Sequence, residues 1–318
     1  MVHLRIVSPP ERTGKVMEVL EATLAVVNII VLHDAARRPE GDVILCDVAR
    51  EDASLIISDL RAIEIDEHGS ISLQSVDLAL SKVADHAEEH APGAPADAVV
   101  WEEVEQRTSE SVELSGVFLV FMVLAALLSA VGILLDSAVL IVGAMVVGPE
   151  FGPIAGFCVA AVRREKKLAL RSALALAVGF PLAIAVTFVA VTIFKETGIS
   201  PATFSEDDHE LARIIASPDF YAAFVAVCAG AAGVLSLSTA KSGALIGVLI
   251  SVTTLPAAAN VGLAAAYSDW KAFRGSLTQL ALNLTCILVA GTTVLMIQRA
   301  LYHRRRRHHR QGSARAEG

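Results

Sequence analysis

The stretch GAMVVGPEFGP, Gly143 to Pro153, decides how this chain is read. It lies inside a long apolar run, yet it carries three glycines, two prolines and one glutamate, Glu150. The run around it, Ser137–Val162, is long enough to cross a bilayer. Proline has no N–H, and its ring crowds the carbonyl four residues earlier. Pro149 and Pro153 are therefore expected to leave the carbonyls of Met145 and Pro149 without helical partners. Hydrocarbon cannot satisfy such groups, so broken backbone at membrane depth must lie inside protein or beside water. Glu150 stands 13 residues after Ser137 and 12 before Val162, near the middle of the span. A carboxylate there costs about 2.5 kcal/mol or more on insertion, so it must be protonated, paired or hydrated. Two readings stand: a functional group, or a neutral acid hydrogen-bonded to neighbouring backbone.

A second pattern overlaps the first. Ala144, Gly148, Gly152, Gly156 and Ala160 recur every four residues, a spacing that lets another helix approach closely. Packing accounts for that ladder but not for Pro149, Pro153 and Glu150. A later apolar run, Ser242–Tyr267, repeats the theme with Gly243, Gly247, Ser251 and Ala259, and with Pro256, which is expected to free the carbonyl of Val252. Asn260 in that run and Asn283 in the next are the other strong polar groups in the apolar blocks. Glu150, Asn260 and Asn283 are thus the candidate substrate- or ion-binding side chains. Gly148, Pro149, Gly152, Pro153 and Pro256 are the candidate broken-helix backbone.

Six spans are expected: Leu114–Leu135, Ser137–Val162, Leu168–Phe194, Phe220–Leu237, Ser242–Tyr267 and Leu277–Ile297. The two Gly/Pro-interrupted spans are second and fifth, the same place in two halves of three. Laying Gly143 over Gly247 raises a 3+3 inverted repeat, whose matched broken spans point to a midplane site. Cationic loops set the orientation. Arg163, Arg164, Lys166, Lys167, Arg171, Lys241 and seven arginines from Arg299 onward fall on one side, 13 in all, against Lys195, Arg213, Lys271 and Arg274 on the other. Both termini are expected in the cytoplasm of a plasma-membrane protein. The acidic loop EDDHE, Glu206–Glu210, would lie outside, solvated.

The first 113 residues belong to a different solvent. They hold 23 of the 34 Asp/Glu and only 9 of the 26 Lys/Arg. No basic segment followed by an apolar core opens the chain, so no cleavable signal is expected. His3–Val7 alternates as a strand, and Val16, Leu20 and Leu24 mark one face of a helix. Ala25–His33 and Val43–Val48 flank RRPEGD as a hairpin. Asp52 can cap a helix facing inward through Leu55, Ile56, Leu60 and Ile63, and ISLQSV is a last strand. The order βαββαβ is the ferredoxin-like plan, here an α+β cytoplasmic domain over residues 1–78. Residues 79–113 form a helical linker broken at APGAPADA, residues 114–298 the membrane domain, and residues 299–318 a basic, disordered cytoplasmic tail. Trp101 fits packing against the soluble domain better than a place at the membrane interface.

The residues LDSAVLIVGAMVVGPEFGPIAG and the later LPAAANVGL resemble a family of bacterial and archaeal multi-pass proteins called domain of unknown function 389. The resemblance runs from about Ser115 to Arg299 and takes in Gly230–Gly233 and Asn283. Many members carry Ser-Pro-Leu-Met-Gly-Pro where this chain has Gly148–Pro153, so Glu150 departs from the family pattern. The resemblance implies architecture and no substrate.

Two function classes follow. The first is a membrane transporter or channel-like protein for a small solute or ion, with the soluble domain regulating or oligomerising it. The alternative is a membrane-anchored sensor or scaffold whose soluble domain binds a ligand or partner. An intramembrane enzyme is not expected, because no HExxH motif, paired aspartates or Ser/Lys dyad falls in the spans. Neither a cofactor nor a metal is expected: Cys46, Cys158, Cys228 and Cys286 form no CxxC pair, and His33, Asp34 and His68 read as solvated turn residues. The expected partners are the lipid bilayer, further copies of the chain and the unidentified solute. The arginine-rich tail reads as a topology signal, and nucleic acid is not expected.

Overall fold

The computed structural model describes residues 1–76, 81–83, 86, 99–204, 209–238 and 253–316. The APGAPADA break, the EDD of the acidic loop, Lys241, and the Gly243, Gly247, Ser251 ladder lie outside those residues. So do Val252 and the Gly143/Gly247 correspondence. The chain forms two compact units. One is built mainly from Met1–Val104 and the chain beyond Ala300, the other mainly from Glu105–Leu237 and Lys241–Arg299.

In the first unit, strands β1 (Val2–Ser8), β2 (Val26–Arg37), β3 (Glu40–Val48) and β4 (Ser70–Ser75) make an antiparallel sheet in the order β2-β3-β1-β4. Alternation decides its inner face: Val2, Leu4 and Ile6 on β1 and Ile44, Cys46 and Val48 on β3 are fully buried. Helix α1 (Pro10–Glu21) covers them with Val16 and Leu20, and α2 (Arg50–Ala62) with Ile56 and Leu60. A four-residue helix, α3 (Ile65–His68), precedes β4. Two expectations need correction. The helix ends at Glu21, so Leu24 leaves the apolar face and is 77% exposed. Asp52 lies in the first turn of α2 while Ala49 holds the cap position without a side-chain bond. A carboxylate in the first turn still complements the helix dipole there.

The hairpin turn is tied by Asp42. It accepts from the Asp34 N–H at 2.9 Å and from the Thr13 hydroxyl at 2.7 Å, with His33 3.4 Å away. Those bonds, the Asp34 N–H first, hold its carboxyl below the usual carboxylate range. Burial, reinforced by the Asp47 charge, pushes the Cys46 thiol up to about 12. Helix α4 (Trp101–Ser111) begins in this unit. The Trp101 N–H donates to the Ser54 hydroxyl at 3.0 Å, and Glu103 pairs with Arg50 at 2.6 Å. Trp101 is buried.

The second unit is helical. Among the described residues four helices are long and apolar enough to cross a membrane: α5 (Gly116–Leu134), α8 (Lys166–Glu196), α10 (Phe220–Ser238), and α12, which runs Trp270–Ala316 and is apolar enough over Trp270–Arg304. The pair α6 (Ala138–Val147) and α7 (Phe151–Arg163) passes together as one bent element. A short helix α9 (Glu210–Ala216) precedes α10. Of the expected fifth span, the described residues form α11 (Thr254–Ala266). The tail does not lose its helix at Arg299 as expected. Its backbone continues α12 to Ala316, because arginine is a good helix former and extending an existing helix needs no new nucleus.

Many large apolar side chains point outward from these helices, among them Val120, Phe121 and Leu124 on α5, Leu170 and Leu174 on α8, and Val289 and Met296 on α12. Water would not tolerate so much exposed apolar surface; lipid does. The unit is a membrane-embedded one. Helix α11 differs from the rest. Every residue from Thr254 to Ala264 is buried. At 13 residues it is about 20 Å long, shorter than the roughly 30 Å hydrocarbon layer. It is held in the interior by α5, α6 and α8, through Met122, Ile133, Met145, Ala183, Leu255 and Leu263.

The approach of α11 to α8 depends on Gly262. A Cβ at that position would lie 2.7 Å from the Ile184 carbonyl oxygen, a backbone atom that cannot swing away. Gly262→Val should lower the thermal unfolding midpoint of the detergent-solubilised protein by an amount equivalent to about 1–3 kcal/mol of overpacking. Gly143→Ala, where the same test finds open space, should leave the midpoint unchanged or raise it.

Candidate functional site

The break between α6 and α7 occupies three residues, Gly148, Pro149 and Glu150, and turns the helix axis by 51°. Its cause is local. A residue before proline is pushed out of the helical region, and Gly148 is extended at φ −66°, ψ 131°. Its N–H still closes α6 on the Ala144 carbonyl at 3.0 Å. Glu150 caps α7 through its backbone, its carbonyl accepting from the Ile154 N–H at 3.2 Å. The Pro149 carbonyl, expected to be free, accepts from the Gly152 N–H at 3.3 Å. Pro153 is the third residue of α7, inside the first turn where no N–H is needed. Pro256 holds the same position in α11, the third residue of the helix. The two prolines share one setting: a described helix begins two residues ahead of each.

The two helix starts face each other. A Cβ on Gly148 would collide with Leu255 Cδ1 and Glu150 Oε2, so the start of α11 presses on the break and the Glu150 side chain folds back beside it. Glu150 is 2% exposed. Its Oε1 accepts from the Thr254 hydroxyl at 3.0 Å, and its Oε2 is buried with no hydrogen-bond partner. That bond is made by the Thr254 side chain. The adjacent Thr253 hydroxyl accepts from Asn283 Nδ2 at 2.8 Å, and Asn283 Oδ1 accepts from Gln279 Nε2 at 2.9 Å. Glu150 and Asn283 are therefore gathered on two consecutive residues at the head of α11.

Asn260 is placed elsewhere. It stands seven residues further along α11 and donates to the Ser276 hydroxyl on α12 at 2.8 Å. Ser276 is likewise seven residues from Asn283, so the two polar contacts between α11 and α12 are about 10 Å apart along the helices. Asn260 Oδ1 and Gln279 Oε1 are buried without partners, as Glu150 Oε2 is. The sequence reading missed Thr253, Thr254, Ser276 and Gln279. Their signals were present: two threonines just before a first-turn proline, and a 276/279/283 stripe of polar residues along one face of an apolar helix.

Glu150, when ionised, dominates the charge at this point. The C-terminal end of α6 and the N-terminal end of α7 meet there, and their partial charges of opposite sign offset each other. The start of α11 adds a partial positive charge of about half a unit. No lysine or arginine among the described residues contacts the carboxylate, and no three His, Cys, Asp or Glu gather anywhere among them. Removing the Thr254 hydroxyl should expose the energetic weight of the contact. Thr254→Val keeps the shape and should destabilise the protein by about 1–3 kcal/mol, read as a lower unfolding midpoint. No change would mean that the carboxylate does not depend on that bond.

Residues 145–289 match the family model described as domain of unknown function (DUF389). The matched segment contains the break, the head of α11 and Asn283. An uncharacterized protein of Methanocaldococcus jannaschii is 27% identical over 165 residues, 52% of this chain and 49% of the relative, so the chain spans about half the length of that curated relative. No solved structure matches the chain. The match over residues 145–289 supports assigning the chain to the DUF389 family, the family its GAMVVGPEFGP segment resembles.

Proposed function

We propose that this protein is a membrane transporter or channel-like protein for a small solute or ion. The observation that carries the reading is Glu150: a buried carboxylate at a helix break, with one oxygen bonded and the other unpaired. Intramembrane ionisable groups mark pathways by default, and discontinuous helices that begin at one point are how transporters build midplane sites. The full chain has six spans in this reading. The four long helices and the α6/α7 pair supply five, and α11 with the apolar SGALIGVLISV before it supplies the other. The 13-to-4 distribution of bases supports a plasma-membrane protein with both termini in the cytoplasm.

The first unit is, in the same proposal, a ferredoxin-like cytoplasmic domain that regulates or oligomerises the transporter. The β2-β3-β1-β4 order with α1 and α2 on one face supports that plan. Homo-oligomers are part of the proposal because a bundle of this size is thin for a buried polar route. No catalytic role is assigned to any residue.

Flux tests the reading. The full chain reconstituted in liposomes should move at least one member of a panel of protons, sodium, potassium, chloride, phosphate and acetate above protein-free vesicles. Glu150→Gln should reduce that flux at least about tenfold, the equivalent of about 1.4 kcal/mol in the barrier. Equal flux in Glu150→Gln would remove Glu150 from the pathway. No flux across the panel would favour a membrane-anchored sensor or scaffold.

A further inference from the structure

The buried polar groups around the break share one feature: what they lack is donors. Glu150 Oε2 and Gln279 Oε1 are buried acceptors with no donor, on residues 2% and 3% exposed. The Glu150 oxygen is the decisive one, because an ionised carboxylate only accepts. The Asn283 and Gln279 amides and the Thr253 hydroxyl can each turn an oxygen toward a neighbour. Pro149 has no N–H to give to the Met145 carbonyl, which adds a backbone oxygen on the α6 side. An anion placed here would face a carboxylate and these acceptors. The half charge at the start of α11 does not outweigh the full charge of Glu150. The occupant that matches is a cation.

Charge selects its valence. Among the described residues Glu150 is the one carboxylate at this point, and no basic side chain contacts it. A monovalent cation leaves the buried pair neutral. A divalent ion would leave a net positive charge in a low-dielectric interior, and hard divalent sites answer that charge with more carboxylates than this one supplies. We propose that the helix break binds a monovalent cation of the sodium or potassium class. Glu150 Oε2 is its charged ligand, and the Thr253, Gln279 and Asn283 cluster supplies neutral oxygens. The inference deepens the transport reading by naming what the same site holds, but binding is measurable without transport.

Equilibrium binding of radioactive sodium, and of rubidium in place of potassium, to the purified full chain in detergent tests it. At least one of the two should bind saturably, near one ion per chain. Excess unlabelled sodium or potassium should displace it, and magnesium, calcium and choline should not. Glu150→Asp, which keeps the charge, should retain binding with weakened affinity. Glu150→Gln should lose it. The wild-type result stands by itself if the Gln variant fails to fold. Absence of saturable binding, displacement by divalent ions as effective as by sodium or potassium, or undiminished binding in monodisperse Glu150→Gln would each overturn the assignment. Cation binding without flux overturns only the transport reading. Flux of another solute without cation binding overturns only the present one.

Discussion

The structure of the membrane unit turns on one contact, the carboxylate of Glu150 held by the Thr254 hydroxyl at the point where two helices begin. A carboxylate in the interior of a membrane protein is tolerated only with a partner or a guest. The chain supplies half of that requirement. One oxygen is bonded across 104 residues of sequence and the other is left buried and open. The position of Glu150 is set by the break, and the break is set by Pro149 forcing Gly148 out of the helix. Changing any of these three residues changes where the charge lies.

The rest of the unit serves to bring α11 to that point. A 13-residue helix buried along eleven consecutive residues is kept from lipid and is too short to span it by itself. Its packing is made by small side chains: Ala257, Ala258, Ala259, Gly262 and Ala264 let neighbouring backbones come close. Large apolar residues meanwhile cover the outer faces of α5, α8 and α12. Polar residues at the head of α11 are then placed at depth without being exposed to hydrocarbon. That arrangement makes a binding site cheap in backbone terms, since helix starts have N–H groups to spare.

The sequence showed the break and the depth of Glu150, because a Gly-Pro-Glu run inside apolar residues conflicts with a straight span on elementary grounds. It also showed the strands of the first unit, whose period-two pattern is short-range. It did not show what Glu150 touches. Thr253, Thr254 and Gln279 come from segments more than 100 residues away, and ordinary polar residues within a span carry no distance information. Asn260 and Asn283 looked equivalent by type, yet only Asn283 joins the cluster at the break; helix register, invisible without a partner helix, separates them. Leu24 was misplaced because a four-residue recurrence continues past the end of the helix that explains it. The tail was misread because its charge suggested disorder, while the helix entering it propagates.

The most direct measurement is an electron cryo-microscopy structure of the full chain in lipid nanodiscs, at a resolution that shows side chains. The account predicts two helices meeting at Gly148–Glu150, with the Glu150 carboxylate within hydrogen-bond reach of Thr254 and turned away from lipid. A straight helix from Ala138 to Arg163 with Glu150 on the lipid face would contradict it.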